Sequence, residues 1–235
     1  TDFEFGDNIG DVNGDGSDDL LFTEGYAADN ENGELEAFLF FGGSDLPSTP
    51  DRTLTYGTTN FVSDDYAQGL GDINGDGIDD FALTDPDHQN SNGTVGAMYI
   101  YFGETGAPEF SDPDLTITPE IPEDDGYAYF PVGVASGDFN DDGQRDLAAK
   151  PQSVDAEVND LSIHIYHGGS SFDAEADRRL EVPAEPISSD FDFDNNGLID
   201  LSYGQLVAVP SSDSPDALLL TTAWDLSGTN ALLYQ

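Results

Sequence analysis

The sequence has no cysteine and very few basic residues, and each absence excludes a class of protein. Without cysteine there is no disulfide framework. Lysine and arginine together number five against 49 aspartate and glutamate residues, so the formal net charge is −44. A chain of this charge repels nucleic acid and anionic membranes. No apolar run reaches the 18 residues of a membrane-spanning helix.

Sustained helical periodicity is also absent, which indicates a chain built from strands. The 235 residues suit one all-β domain or two smaller ones, and an aromatic content of 11% argues against an acidic disordered chain. Lysine occurs once, as Lys150, and this bias resembles proteins of extreme halophiles, in which concentrated salt screens repulsion between carboxylates. The chain starts at Thr1 with neither methionine nor a signal peptide, as is typical of a mature or trimmed chain.

A nine-residue stretch occurs four times, at residues 11–19, 72–80, 138–146 and 192–200. Each copy has side-chain oxygens at positions 1, 3, 5 and 9 and glycine at position 6. The four copies are named here loops 1 to 4. They recur at intervals of roughly 55 to 65 residues, which is the period of a propeller blade or a related array.

The spacing within each loop fits the coordination of calcium, which takes six to eight oxygens in flexible geometry. Glycine at position 6 permits the sharp turn, and position 7 offers its backbone carbonyl. Asp, Asn and Gly also form turns without metal, but four copies in register favour calcium, and magnesium prefers a stricter octahedron. The sequence predicts up to four Ca²⁺. The predicted ligands are Asp11, Asn13, Asp15, Ser17 and Asp19; Asp72, Asn74, Asp76, Ile78 and Asp80; Asp138, Asn140, Asp142, Gln144 and Asp146; and Asp192, Asp194, Asn196, Leu198 and Asp200.

The residues after each loop predict the architecture. A short apolar run follows position 9, as in Leu20-Leu21-Phe22, where an EF-hand would begin a helix. A second apolar strand then ends in Gly42, Gly103 or Gly168, and a short outer strand closes each unit. The sequence therefore predicts four units of four antiparallel strands, in which the loop joins the first strand to the second. Their approximate bounds are 1–57, 58–119, 120–183 and 184–235.

These motifs together resemble the FG-GAP repeat of integrin α-subunit β-propellers and their prokaryotic relatives. The resemblance rests on an aromatic–glycine lead-in such as Phe5-Gly6, the acidic loop, and the aromatic strand that ends in glycine. It implies a single all-β propeller domain, calcium in the first hairpin of each blade, and an extracellular or surface location. The relatives usually have seven blades. Four units either close as a four-bladed propeller, which we favour, or form part of a larger one.

The three histidines do not predict a catalytic site. His164 and His167 replace aromatic residues of the repeated strand, so packing is the expected role, and His88 lies in a polar loop. No Ser-His-Asp arrangement and no phosphate loop follow from the spacing. We therefore expect a chain that is not an enzyme.

The expected function is recognition of a protein or glycan by a calcium-stabilised propeller. It would be of an adhesion or receptor-binding type, on a cell or virion surface in a high-salt environment. One alternative is a propeller module of a secreted polysaccharide- or lipid-degrading enzyme. The other is a structural subunit that assembles with further subunits of a surface complex. The sequence does not identify the ligand.

Overall fold

The described residues of the chain form strands, turns and loops without a helix. A computed structural model describes residues 3–24, 35–57, 67–86, 88–90, 93–94, 96–119, 128–153, 162–180, 204–209, 217–222 and 231–234. The strands are β1 Phe3–Gly10, β2 Asp19–Glu24, β3 Leu35–Phe40, β4 Arg52–Tyr56, β5 Ala67–Gly71, β6 Asp80–Asp85, β7 Gln89–Asn90, β8 Gly93–Thr94, β9 Ala97–Tyr101, β10 Leu115–Ile117, β11 Ala128–Gly137, β12 Asp146–Ser153, β13 Ile163–Tyr166, β14 Arg178–Leu180, β15 Gly204–Val209, β16 Ala217–Thr222 and β17 Ala231–Tyr234.

Three four-stranded antiparallel sheets account for most of these strands. Their orders are β1-β2-β3-β4, β5-β6-β9-β10 and β11-β12-β13-β14. A three-stranded sheet, β15-β16-β17, follows, and β7 and β8 form a separate small hairpin. The predicted four-stranded antiparallel unit is thus confirmed for the first three sheets. The boundaries between the units stay predictions.

Consecutive sheets share hydrophobic cores because their strands are apolar on both faces. All six residues of β6 and all five of β9 are buried. Phe81 and Leu83 of β6 pack in one cluster with Leu21 and Leu39 of the first sheet. Ala82, on the opposite face of β6, packs in another cluster with residues of the third sheet. The first strands of consecutive sheets are also neighbours, β1 beside β5, β5 beside β11, and β11 beside β15.

The first sheet has an apolar face that is less covered than its counterparts. Leu20, Phe22, Phe38 and Phe40 lie on this face and are only partly buried. The rings of Phe22 and Phe40 pack edge to face with centroids 5.8 Å apart. The residues at the same repeat positions in the second sheet are fully or almost fully buried; they are Phe81, Leu83, Tyr99 and Tyr101.

Lys150, the only lysine, lies buried in β12. Its side chain is 2% exposed, and the same repeat position in the first two sheets holds the small residues Thr23 and Thr84. Strand alternation puts it on the face of β12 that carries Ala148, whose cluster also contains Ile163. Burial lowers the pKa of Lys150 from its ordinary value to about 8. The charged amine therefore opposes folding at neutral pH.

Replacing this amine by an apolar group of similar length should stabilise the fold. We expect Lys150→Met to raise the free energy of unfolding by about 3 kcal/mol at pH 7, since each pKa unit corresponds to about 1.4 kcal/mol. The unfolded chain keeps the lysine proton up to about pH 10.5, and the folded chain keeps it only up to about pH 8. The free energy of unfolding of the wild type should therefore rise towards that of the variant as the pH increases between these values. Denaturant unfolding of both proteins from pH 7 to 11 measures the difference. A difference in the free energy of unfolding between the two proteins that does not change with pH would contradict this explanation.

Candidate metal centres in the hairpin loops

Loops 1, 2 and 3 lie at the same end of their sheets. Each joins the first strand of its sheet to the second, between β1 and β2, β5 and β6, and β11 and β12. This connection is the one that the sequence predicts. Loop 4, with its candidate ligands at positions 192–200, lies outside the described residues.

The side chains of loop 1 fold back onto the backbone of their own turn. The amide N–H of Asp15 donates to Asp11 Oδ1 at 2.9 Å and to Asn13 Oδ1 at 2.8 Å. The next amide, of Gly16, donates to Asp11 Oδ2 at 2.8 Å. Because one N–H is shared by two oxygens, the first and third side chains converge on the fifth residue. The amide of Ser17 then orients the Asp15 carboxylate, with a donor–acceptor distance of 2.9 Å.

Loops 2 and 3 repeat this arrangement bond for bond. The amide of Asp76 donates to Asp72 Oδ1 at 3.0 Å and to Asn74 Oδ1 at 2.8 Å, and the corresponding distances in loop 3 are 3.2 and 2.9 Å. The amide at position 6 donates to the second oxygen of position 1 at 2.9 Å in both loops. Three loops of different sequence context thus place the oxygens of positions 1, 3 and 5 in the same way.

The turn depends on left-handed backbone at position 6. Gly16, Gly77 and Gly143 have φ angles of 92°, 92° and 85°. A Cβ atom at any of these positions would meet nothing within 4 Å, so glycine is needed for its backbone conformation and not for space. Position 4 is left-handed as well, and in loop 3 Asp141 adopts it with φ 63°. Aspartate is one of the few residues that tolerates this region.

The aspartate at position 9 has a structural role that the sequence analysis missed. Asp19, Asp80 and Asp146 are fully buried. In loop 1, Asp19 Oδ2 accepts the amide N–H of Val12 at 3.0 Å, and Oδ1 accepts that of Gly42 at 2.7 Å. The same two bonds recur in loops 2 and 3, at 2.9 Å each. Position 9 therefore ties the start of the loop to the end of the third strand.

The glycine at the end of the third strand is part of the same arrangement. A Cβ atom on Gly42, Gly103 or Gly168 would overlap the carbonyl oxygen of position 8 in its own loop. Glycine is required there so that its N–H can reach the buried carboxylate. The recurrence of this glycine with the acidic loop was a visible signal in the sequence for the contact.

Burial also changes the ionisation of the position 9 carboxylates. Burial raises the pKa of Asp80 to about 7, against the lowering effect of the N–H donors of Gly103, Ile73 and Asn74. Burial likewise raises the pKa of Asp19 and of Asp146. A cation held beside these carboxylates would favour their ionised form.

The donor set fits a hard cation. Each loop combines two carboxylates and an amide oxygen near the surface with a buried carboxylate at position 9, and oxygen donors of this kind are the ligands of calcium. In loop 1 each of these oxygens accepts one hydrogen bond and keeps a second lone pair, whereas in loop 2 Asp72 Oδ1 and Asp80 Oδ2 each accept two amide N–H groups. In the described ranges, no group of three or more His, Cys, Asp or Glu side chains is arranged so that acidic and histidine ligands alone could hold a metal. The loops would complete a site with the Asn oxygen and the predicted carbonyl of position 7.

The histidines lie in positions of two kinds. His164 is 2% exposed and its ring centroid lies 6.2 Å from that of Phe130, in agreement with the packing role expected from the sequence. His167 is partly exposed, with Nδ1 3.8 Å from Asp177 Oδ2. His88 contacts the hydroxyl of Tyr99 through Nδ1 at 3.2 Å, and burial lowers its pKa.

The described molecule is thus an all-β stack of antiparallel sheets with repeated acidic hairpin loops. No protein-family model matches the chain. The chain is 26% identical over 233 residues to integrin alpha-PS2 of Drosophila melanogaster. That match covers 93% of this chain but 15% of the integrin, so the chain spans a small part of the length of this relative. Within the described ranges no helix is long and apolar enough to cross a membrane.

Two aspartates of loop 2 should separate the structural role from cation binding. In buffer with a calcium chelator, we expect Asp80→Ala to lower the free energy of unfolding by about 3 kcal/mol or more, because it strands buried N–H donors. Asp76→Ala, at an exposed position, should cost at most about 1 kcal/mol there. In saturating calcium the Asp76→Ala protein should also lose the linkage stabilisation of one site, about 2–3 kcal/mol.

Thermal melts of both variants, with and without chelator, measure these effects. Equal losses for the two variants in chelator would contradict the separation of roles. An unchanged melting temperature of Asp76→Ala in saturating calcium would contradict its role as a ligand.

Proposed function

We propose that this chain is a calcium-stabilised β-propeller that recognises another protein or a glycan at a cell or virion surface. The observation that carries the proposal is the repeated hydrogen-bond set of loops 1 to 3. Asx-rich turns form readily without metal, but here three loops place the oxygens of positions 1, 3 and 5 in the same way. Bound calcium would supply positive charge to a group of carboxylates that otherwise repel one another.

An apolar face of the first sheet supports closure of the sheets into a ring. This face carries Phe22, Phe38 and Phe40 and is partly buried, whereas the equivalent faces of the second and third sheets pack in clusters shared with the preceding sheet. The sequence of β16 contains three consecutive leucines, at positions 218 to 220. Packing the fourth sheet on the first would cover the partly buried face of the first sheet and yield a four-bladed propeller domain.

The recognition role rests on the similarity to an integrin α chain and on where the histidines lie. The similarity supports an extracellular or surface location and a protein-binding function of the adhesion type. We assign no catalytic role, because His164 packs against Phe130 and His167 lies beside Asp177, each in a place that the fold itself explains. A glycan remains an alternative ligand.

Calcium should raise the stability of the protein. We expect the melting temperature to rise as calcium is titrated, with half-saturation near the roughly 10⁻⁴–10⁻³ M of extracellular modules, because the loops are short and lack a bidentate glutamate. The triple variant Asp15→Ala, Asp76→Ala, Asp142→Ala should lose most of this response. Magnesium at the same concentration serves as the ionic control. A wild-type melting temperature that is the same in millimolar calcium and in chelator would refute the calcium assignment.

The acidic surface should make folding dependent on salt. At a net charge of −44 the folded chain concentrates repulsion that acts over a Debye length of about 30 Å at 0.01 M salt. Even four bound calcium ions would leave most of that charge, so we expect loss of the fold in millimolar salt and a lower salt requirement with calcium. Melting curves against potassium chloride, with and without calcium, measure both effects. Equal stability at 10 mM and 3 M salt would rule out the halophile assignment and leave the calcium assignment untouched.

A further inference from the structure

Loops 1 and 2 match closely in their ligands at positions 1, 3, 5 and 9, differ at position 7, where loop 1 has Ser17 and loop 2 has Ile78, and have different neighbours. Their predicted side-chain ligands are of the same types, Asp, Asn, Asp and Asp, and their hydrogen bonds agree closely in length. Both loops also have an aspartate at position 8, Asp18 in loop 1 and Asp79 in loop 2. What lies beside each loop is therefore one source of a difference in cation affinity between them.

A carboxylate of the second sheet lies against loop 1. Asp79 Oδ2 accepts the amide N–H of Asp11, the first residue of loop 1, at 3.0 Å. The amide of Asp79 in turn donates to the Asp11 carbonyl at 3.4 Å. Gly10 has φ 81°, and a Cβ atom there would lie 2.7 Å from Asp79 Cγ. Glycine before the loop thus admits the neighbouring carboxylate.

A guanidinium of the third sheet takes the corresponding place beside loop 2. Arg145, at position 8 of loop 3, donates from Nε to the Leu70 carbonyl at 2.9 Å. Its Nη2 donates to the carbonyl and to the hydroxyl oxygen of Ser136, at 3.0 and 2.8 Å. Gly71, just before loop 2, has φ 68°, and a Cβ atom there would lie 2.6 Å from Arg145 Nε. The two neighbours occupy equivalent places with opposite charge.

Backbone contacts hold each loop in place against the following sheet. The amides of Glu104 and Gly106 donate to the carbonyls of Val12 and Asn13 in loop 1, at 3.1 and 2.8 Å. The amide of Gly169 donates to the carbonyl at position 2 of loop 2, at 2.7 Å. The position 8 side chains therefore act from fixed positions.

We propose that the position 8 residues of loops 2 and 3 tune the cation affinity of the preceding loop, so that loop 1 binds calcium more tightly than loop 2. This inference rests on the proposed calcium function. A negative charge beside a cation site strengthens binding and a positive charge weakens it, with an effect that salt reduces at partly exposed positions. Asp79 is a positioning residue for loop 1, since it acts through the amide of Asp11, and Arg145 opposes binding at loop 2.

Calcium titration followed by hydrogen–deuterium exchange mass spectrometry tests this on the full chain. Peptides that cover each loop report its amides separately, so the midpoint of protection gives an affinity for each loop. At the lowest salt that keeps the fold, we expect the midpoint of loop 1 to be about fivefold lower than that of loop 2. The difference between the two calcium midpoints should decrease as the potassium chloride concentration is raised towards 3 M.

Two substitutions separate charge from structure. Asp79→Asn keeps an acceptor for the Asp11 amide and removes the charge, so the midpoint of loop 1 should rise severalfold and depend less on salt. Arg145→Gln should lower the midpoint of loop 2. Asp18→Asn is the control, because Asp18 Oδ2 accepts a hydrogen bond from Asn8 of its own sheet. It should leave the midpoint of loop 2 unchanged and shift the midpoint of loop 1 less than Asp79→Asn does.

The outcomes distinguish this inference from the assignment on which it rests. Equal midpoints for loops 1 and 2 that respond to neither Asp79→Asn nor Arg145→Gln would overturn the tuning role while calcium binding stands. If no loop gains protection in calcium, the calcium function itself fails. If Asp79→Asn does not fold, Arg145→Gln decides the question. A lower calcium midpoint of loop 2 in this variant supports the tuning role, and an unchanged midpoint refutes it.

Discussion

The bond between a buried carboxylate and two backbone amides is the interaction on which the rest of the structure depends. Asp80 joins the start of its loop to the end of β9, through the amides of Ile73 and Gly103. Without it, the loop would not keep a fixed position over the sheet. The same residue is a predicted cation ligand, so one side chain serves both the sheet and the site.

The local features of the loops could be predicted from sequence because their cause is local. The Asp, Asn and Gly spacing fixes the turn within six residues, and the strand that follows Asp19 or Asp80 begins where the pattern predicts it. The contacts of positions 8 and 9 could not be predicted in the same way. Asp19 meets an amide 23 residues further along the chain, and Asp79 meets one 68 residues away. The Asp19 pairing lies within one sheet but spans the whole of β2 and β3. The Asp79 pairing depends on how sheets stack, which residue spacing within one unit does not encode.

The distribution of charge is uneven in a chain with so few cations. Of the five basic residues, Lys150 is buried in β12 and Arg145 lies between two acidic loops. Neither is placed to offset the negative surface at large. Arg52 similarly binds the carbonyls of Ala107 and Pro108 in the second sheet. Arg52 and Arg145 thus link neighbouring sheets, whereas Arg178 and Arg179 are exposed on β14. Most of the surface charge is left to salt and bound cations.

The burial of both faces of β6 constrains how such a chain can change during evolution. Phe81 and Leu83 serve one core and Ala82 another, so a single inserted or deleted residue would exchange the contents of both cores at once. Short insertions are therefore confined to the connections, such as the β7–β8 hairpin between β6 and β9. Growth or loss of larger parts must proceed by whole units, each bringing a loop, a position 8 side chain and two matching faces. Duplication of a unit would place its position 8 side chain beside the loop of a new neighbouring unit. The order of units along the chain would therefore itself be subject to selection.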